Sequence, residues 1–162
     1  MTHKFTDEGA KVVAVDMNGD GLAKAFSSST HVHALTANVT SPADWEKMVE
    51  AAVSKFGGLD ILVNNAGTSY KNKSTLEVTE AEFDKVMAVN VKSIFLSVPA
   101  AVPALRKRGG GSIINIASIG AMRPRPGLVW YNASKGAVAN VRESPPCASA
   151  LTSRKSLEIY RS

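Results

Sequence analysis

The chain has 162 residues and one cysteine, Cys147, so it can form no internal disulfide, and a small scaffold held by cross-links is excluded. Aromatic residues make up only 6% of it and do not interleave with the basic ones as they do on nucleic-acid surfaces. No uninterrupted apolar run approaches the ~18–20 residues that a membrane-crossing helix needs. The opening Met1-Thr-His-Lys-Phe-Thr-Asp-Glu8 has neither the apolar stretch of a signal peptide nor an arginine-rich transit character. These absences lead to the expectation of a cytoplasmic protein without a membrane partner. Metal spacing is also missing: His31 and His33 share one strand face without a third ligand, so no metal site is expected. Cys147 has no partner histidine and reads as an inert thiol.

Basic residues outnumber acidic ones 19 to 14, for a formal charge of +5. The excess is dispersed. Arg106-Lys107-Arg108 is the densest group and suits a solvated helix end, where positive charge complements the dipole, and Arg123 with Arg125 forms a second pair. From Arg142 onward four basic residues stand against two acidic ones, which assigns +2 of the +5 to the last 21 residues. Without a helix-turn-helix or zinc-finger pattern, specific nucleic-acid recognition is not expected.

What is present is the profile of one globular domain: 44% apolar, 20% charged, mean hydropathy −0.02. The length allows one hydrophobic core and no full second one. Lys11 to Asp16 is a short apolar run between glycine-containing turns and suits a buried parallel strand. Asn18 caps a brief helix to about Phe26, and His31 to Leu35 is a second strand. Ser41-Pro42-Ala43-Asp44 opens a helix in which Trp45, Met48, Val49, Ala52, Val53 and Phe56 form an apolar stripe ended by Gly57-Gly58. Leu59 to Asn64 is a third strand. Thr79 with Glu82 is a capping box that starts a long helix, expected to end at Pro99 or Pro103, where proline disturbs the hydrogen-bond ladder. Gly109-Gly110-Gly111 precedes a strand from Ser112 to Ala117, and a last helix covers Val129 to Val141. The βαβαβαβα alternation implies an α/β fold with a parallel sheet. Ser144-Pro145-Pro146 must stop a helix, and 142–162, rich in serine and without apolar period, is expected to be an irregular tail outside the fold.

Tyr131-Asn-Ala-Ser-Lys135 places a phenol and an ammonium four residues apart, on one helix face. A nearby ammonium favours the phenolate, so such a tyrosine can exchange a proton near neutral pH. Ser118 stands at the carboxyl end of a strand, where parallel sheets place ligands. Together with Ile114-Asn-Ile-Ala-Ser118, Asn64-Asn65-Ala66-Gly67 and Asn90-Val91, in this order and spacing, the pattern resembles the short-chain dehydrogenase/reductase family over Phe5 to Val141. Within it the chain is similar to 3-oxoacyl-acyl-carrier-protein reductase-like members.

The resemblance implies a Rossmann-type doubly wound parallel sheet over residues 1–141 and a nicotinamide-dependent interconversion of a small alcohol and a ketone. It makes Tyr131 the general acid/base and Lys135 the group that favours its phenolate and holds the nicotinamide ribose. Ser118 would orient the substrate oxygen, and Asn90 would hold a water in a proton relay. Asn65, Ala66 and Gly67 would line the cofactor cleft beside Tyr131 and Lys135. Asn38 and Val39 fall where the family commonly has an Asp-Val pair at the adenine edge. Asp16, ending its strand with no arginine immediately after it, can accept hydrogen bonds from ribose hydroxyls and repel a 2′-phosphate, which favours NAD over NADP; the plainer reading is an Asx turn into the next helix.

One element of the pattern is missing. The family's first strand and its glycine-rich turn would precede Phe5, where only four residues stand, and in the sheet order that strand is the central one, so an incomplete sheet is expected. The apolar continuation after Val141, which carries substrate selection in the family, has no counterpart. The resemblance also implies a homo-oligomer in the intact fold. A second reading follows from it: a non-catalytic fragment that keeps the association surfaces on the long helix from Thr79 and the helix after Val129.

Overall fold

The structure, a computed structural model, describes residues 1–141 and 157–161. Among these residues five strands form two parallel sheets. In the first, β1 (Val12–Asp16) pairs with β2 (Val32–Thr36) from Val12↔Val32 to Asp16↔Thr36. In the second, β4 (Ser112–Ser118) lies between β3 (Ile61–Asn64) and β5 (Leu157–Arg161). Among the described residues no ladder joins β1 to β3, so the expected incomplete Rossmann-type sheet takes the form of two half-sheets.

Local chemistry explains the helices. The Asn18 side chain accepts from Gly21 N at the start of α2 (Gly19–Phe26). In α3 (Pro42–Phe56), Ser41 Oγ accepts from Asp44 N, Pro42 occupies the first turn, and Gly57 closes the helix at φ 82°, a left-handed conformation that glycine adopts without strain. Trp45, Met48 and Ala52 of the expected stripe are buried, whereas Val53 is 46% exposed. Thr79 and Glu82 form the reciprocal capping box of α4 (Glu80–Met87).

Three features depart from the sequence expectations. A short helix, α1 (Thr2–Asp7), precedes β1 and packs on it. The long helix does not stop at a proline: after α4 the backbone widens into one π turn over Ala88–Lys92 and continues as α5 (Ser93–Lys107) through Pro99 and Pro103. Phe95, Pro99 and Pro103 lie on the exposed face, so the carbonyls deprived of a donor look toward water. Leu157–Arg161, assigned to the irregular tail, instead adds to β4 in parallel from Ile114↔Leu157 to Ser118↔Arg161. The rest of that tail, with Ser144-Pro145-Pro146 and Cys147, lies outside the described residues.

The helical stretch Glu80–Lys107 runs 28 residues and contains a window of mean hydropathy 1.5, long and apolar enough by length and composition to cross a membrane. Here it is a core element: Val86, Ile94, Ala101, Ala104 and Leu105 are buried. The last helix, α6 (Val129–Ala139), packs on β4, where Ile94, Ala117, Val138 and Ala139 form one apolar cluster. A second cluster joins the half-sheets: Trp45 and Met48 of α3 meet Val15 and Leu35 on one side and Leu62, Leu96 and Ala100 on the other. The Trp45 indole N–H is satisfied by Val39 O at 2.9 Å.

Candidate active site

The site is organised by polar side chains buried where α6, β4 and the π turn meet. Lys135 is 5% exposed, and its Nζ donates to Ile116 O in β4 at 2.9 Å. Burial disfavours the ammonium and pushes the Lys135 pKa below the ordinary lysine range. Asn90 is 2% exposed. Its Nδ2 donates to Thr68 O at 3.0 Å and to Ser134 Oγ at 2.9 Å, while its Oδ1 accepts from Thr68 N at 2.8 Å. Ser134 Oγ in turn donates to Tyr131 O at 2.7 Å. The π turn thus coincides with the position at which an amide is aimed into the site, as such turns often do.

Gly67 runs directly beside this cluster. A Cβ at that position would stand 3.4 Å from Lys135 Nζ and 3.5 Å from Asn90 Oδ1. The strand before it is fixed by Asn64, whose Nδ2 donates to Asn115 Oδ1 at 2.9 Å and to Ser97 Oγ at 3.2 Å. Ser118 ends β4, two residues beyond Ile116, and its Oγ accepts from Gly120 N at 3.2 Å. Tyr131 is half-buried, and its hydroxyl makes no hydrogen bond to the described residues. The approach to α6 is strapped down by Tyr70, whose hydroxyl accepts from Trp130 N at 3.0 Å, and by Asn72, whose Nδ2 donates to Pro126 O at 2.7 Å.

The structure therefore brings Gly67, Asn90 and Lys135 together, with Tyr131 one helical turn from Lys135 and Ser118 at the end of the strand that Lys135 grips. Asn65 and Ala66 precede Gly67 in the same turn, with Asn65 N donating to Val63 O. The Asn90 side chain is occupied by Thr68 and Ser134, so its observed work is to hold backbone and helix in place. The remaining candidates belong to the other half-sheet. Asp16 is exposed and its Oδ1 accepts from Asn18 N at 2.9 Å, the Asx turn of the plainer reading. Asn38 Oδ1 accepts from both Thr40 N and Thr40 Oγ1 at 2.9 Å, and Val39 packs in the Trp45 cluster.

Sequence reasoning missed Thr68, which acts through its main chain, and Ser134. The latter had a signal: it lies within the Tyr131 to Lys135 motif on its buried face. Asn115 had one too, as a polar residue in the otherwise apolar run Ile113-Ile-Asn-Ile116.

A model of the short chain dehydrogenase family matches residues 1–147. The chain belongs to that family. It is 38% identical over 145 residues to 4-formylbenzenesulfonate dehydrogenase of Comamonas testosteroni, covering 87% of this chain and 58% of that one. It is 37% identical over 148 residues to 2-(R)-hydroxypropyl-CoM dehydrogenase of Xanthobacter autotrophicus, covering 87% and 59%. The structure superposes with a TM-score of 0.82 on a 3-ketoacyl-(acyl-carrier-protein) reductase from Brucella melitensis complexed with NADH, at 41% identity over 85% of this chain and 59% of the other. The chain thus spans less than two thirds of the length of these family members, and what they share with it includes the Rossmann-type parallel architecture.

The residues present fit one end of a nicotinamide dinucleotide. Gly67, whose bare Cα leaves a space beside a buried cation, and the Tyr131 hydroxyl, which makes no hydrogen bond to the described residues, suit the nicotinamide ribose end. Asp16 Oδ1 accepts from Asn18 N, and its other carboxylate oxygen has no hydrogen bond among the described residues. Among the described residues no glycine-rich turn leads from a strand between β1 and β3 to meet a pyrophosphate.

Proposed function

We propose that residues 1–141 form the catalytic part of an NAD(P)-dependent oxidoreductase that interconverts a small alcohol and a ketone. The observation that carries this reading is the buried Lys135, fixed on Ile116 O beside Gly67 and Asn90, one turn from a Tyr131 hydroxyl that makes no hydrogen bond to the described residues. Tyr131 gives a proton to, or takes one from, the substrate oxygen, and the Lys135 charge stabilises the phenolate left behind. Ser118 Oγ, which accepts from Gly120 N, has its own proton to donate to the same substrate oxygen. Asn90 keeps Thr68 and Ser134 in place, and with them the helix that carries Tyr131 and Lys135; the second lone pair of its Oδ1 can accept from a relay water. A bound nicotinamide cofactor would be held by Asn65, Ala66, Gly67, Tyr131 and Lys135 at one end and by Asp16, Asn38 and Val39 at the other, and would supply or accept the hydride. NAD is preferred over NADP because the exposed Asp16 carboxylate repels a 2′-phosphate.

Titration with NADH and NADPH, followed by energy transfer from the two tryptophans, tests binding and preference together. Saturation with NADH at lower concentration than with NADPH supports the reading, and no saturation at millimolar cofactor overturns it. Tyr131→Phe should abolish turnover while leaving cofactor affinity nearly unchanged.

A second reading, association through α4–α5 and α6, is favoured by exposed apolar side chains on those helices: Phe95 is 70% exposed, Val98 41% and Val129 42%. Sedimentation of the wild type against Phe95→Lys distinguishes them. A dimer lost on substitution supports association, and an unchanged monomer rejects it.

A further inference from the structure

The helix α6 opens without a cap of its own. Its N-cap position is Leu128, whose apolar side chain offers no acceptor, so the N–H groups of its first turn need partners from elsewhere. One comes from 60 residues away: the Tyr70 hydroxyl accepts from Trp130 N at 3.0 Å. Tyr70 belongs to the segment that leaves Gly67, and that segment is fixed at points outside α6. Asn90 of the π turn brackets Thr68, and Lys73 Nζ meets both carboxylate oxygens of Glu82 in the first turn of α4. Two more bonds tie it to the loop before α6, from Asn72 Nδ2 to Pro126 O at 2.7 Å and from Lys73 N to Gly127 O at 3.3 Å. The Trp130 indole is placed as well, at 87° to the Phe83 ring of α4 with centroids 5.2 Å apart.

The later turns of α6 have anchors of their own. Lys135 bonds Ile116 O, and Val138 and Ala139 pack in the core. Tyr131 stands before them, in the first turn, where helices fray. We infer that Tyr70 is a positioning residue: by capping Trp130 it fixes the first turn of α6 and so sets the reach of the Tyr131 hydroxyl toward the oxygen on which it acts. The inference rests on the reading of Tyr131 as the proton donor and acceptor, and adds to it a residue that touches neither substrate nor cofactor. The active part is the phenol oxygen of Tyr70 rather than its ring, because only the oxygen meets the Trp130 N–H.

Tyr70→Phe keeps the ring and removes the acceptor. In the full chain, amide exchange at Trp130 should then accelerate about fivefold, the worth of one cap. The backbone order parameter at Tyr131 should fall from the rigid value of about 0.85 toward about 0.6, with Lys135 and Val138 unchanged. With NADH and ethyl acetoacetate as the ketone, kcat should drop about tenfold while both KM values stay nearly constant, since a displaced acid/base loses rate rather than binding. Adding Leu128→Ser puts a hydroxyl at the N-cap position, from which it can accept from Trp130 N. That second substitution should restore both the order parameter and kcat, which it would not do if Tyr70 worked by touching substrate. Unchanged exchange at Trp130, acceleration spread evenly along α6, an unmoved Tyr131 order parameter, or kcat retained while Tyr131 loosens each overturns the inference. A wild type that reduces no ketone speaks against the oxidoreductase reading alone; the Tyr131 order parameter in the two variants needs no turnover and still decides the positioning role.

Discussion

Asn90 grips the main chain of Thr68 from both sides, accepting from its N–H at 2.8 Å and donating to its carbonyl at 3.0 Å. One side chain in the π turn thereby replaces a stretch of sheet pairing for the segment that follows Gly67. Asn90→Leu leaves Thr68 N and Thr68 O, half-buried, and the buried Ser134 Oγ each with a partner missing. The expected loss is about 2–4 kcal/mol of stability, read from urea unfolding. Asn90→Asp retains only the acceptor and should recover little of it.

Lys135 makes stability depend on pH in a specific direction. Its folded-state pKa lies below the model-compound value of 10.5 because burial disfavours the ammonium. Between the folded value and 10.5 the unfolded chain holds more protons, so stability rises with pH across that window, while below it the full burial penalty applies. Lys135→Met has no such titration. Paired urea curves for wild type and variant should show the difference shifting in favour of the wild type as pH rises from 7 toward 10.5; a difference that does not move with pH rejects this.

Glu82 behaves in the opposite sense. The Lys73 ammonium, at 2.7 and 2.8 Å from its two oxygens, and the Thr79 N–H hold its pKa down at about 2, against 4.5 for the free group. Its contribution is complete above pH 4.5 and is lost as pH falls through about 2. The stability difference between wild type and Glu82→Gln should shrink across that interval. A carboxyl-carbon NMR titration of Glu82 with a midpoint near 4.5 would contradict the geometry.

Trp45 belongs to the cluster that joins both half-sheets, so its truncation should be felt in both. Trp45→Ala is expected to cost about 3–5 kcal/mol and to accelerate amide exchange in the β1–β2 and β3–β4 ladders alike. Trp45→Phe keeps most of the packing and forfeits mainly the bond to Val39 O, about 1 kcal/mol. Exchange changing in one ladder alone would show that the indole does not couple them.

Elements whose signals are local were legible in the sequence. Ser41, Pro42 and Gly57 bound α3 as their side chains and backbone preferences require, and Thr79 with Glu82 opens α4. The π turn was not legible, because Ala88-Val-Asn-Val-Lys92 contains no helix breaker and the bonds that accompany it reach Thr68, 22 residues away, and Ser134, 44 residues away. The passage of α5 through two prolines depends on which face meets solvent, which composition does not reveal. At the site, the motif spacing indicated Gly67, Asn90, Ser118, Tyr131 and Lys135. It could not show that both Asn90 amide hydrogens and one lone pair of its oxygen are already engaged, since that depends on Ser134 and on a main-chain partner with no side-chain signature.

The α3 bridge gives the molecule an uneven mechanical character. Within each half-sheet, tension along the strands is resisted by a ladder of backbone hydrogen bonds acting in shear. Across the seam between β1 and β3 no such ladder exists among the described residues, and cohesion there includes the side-chain packing around Trp45 and Met48. A pulling force applied between β1 and β3 therefore parts the two halves before it unravels either one, so the seam is the line along which the fold yields first.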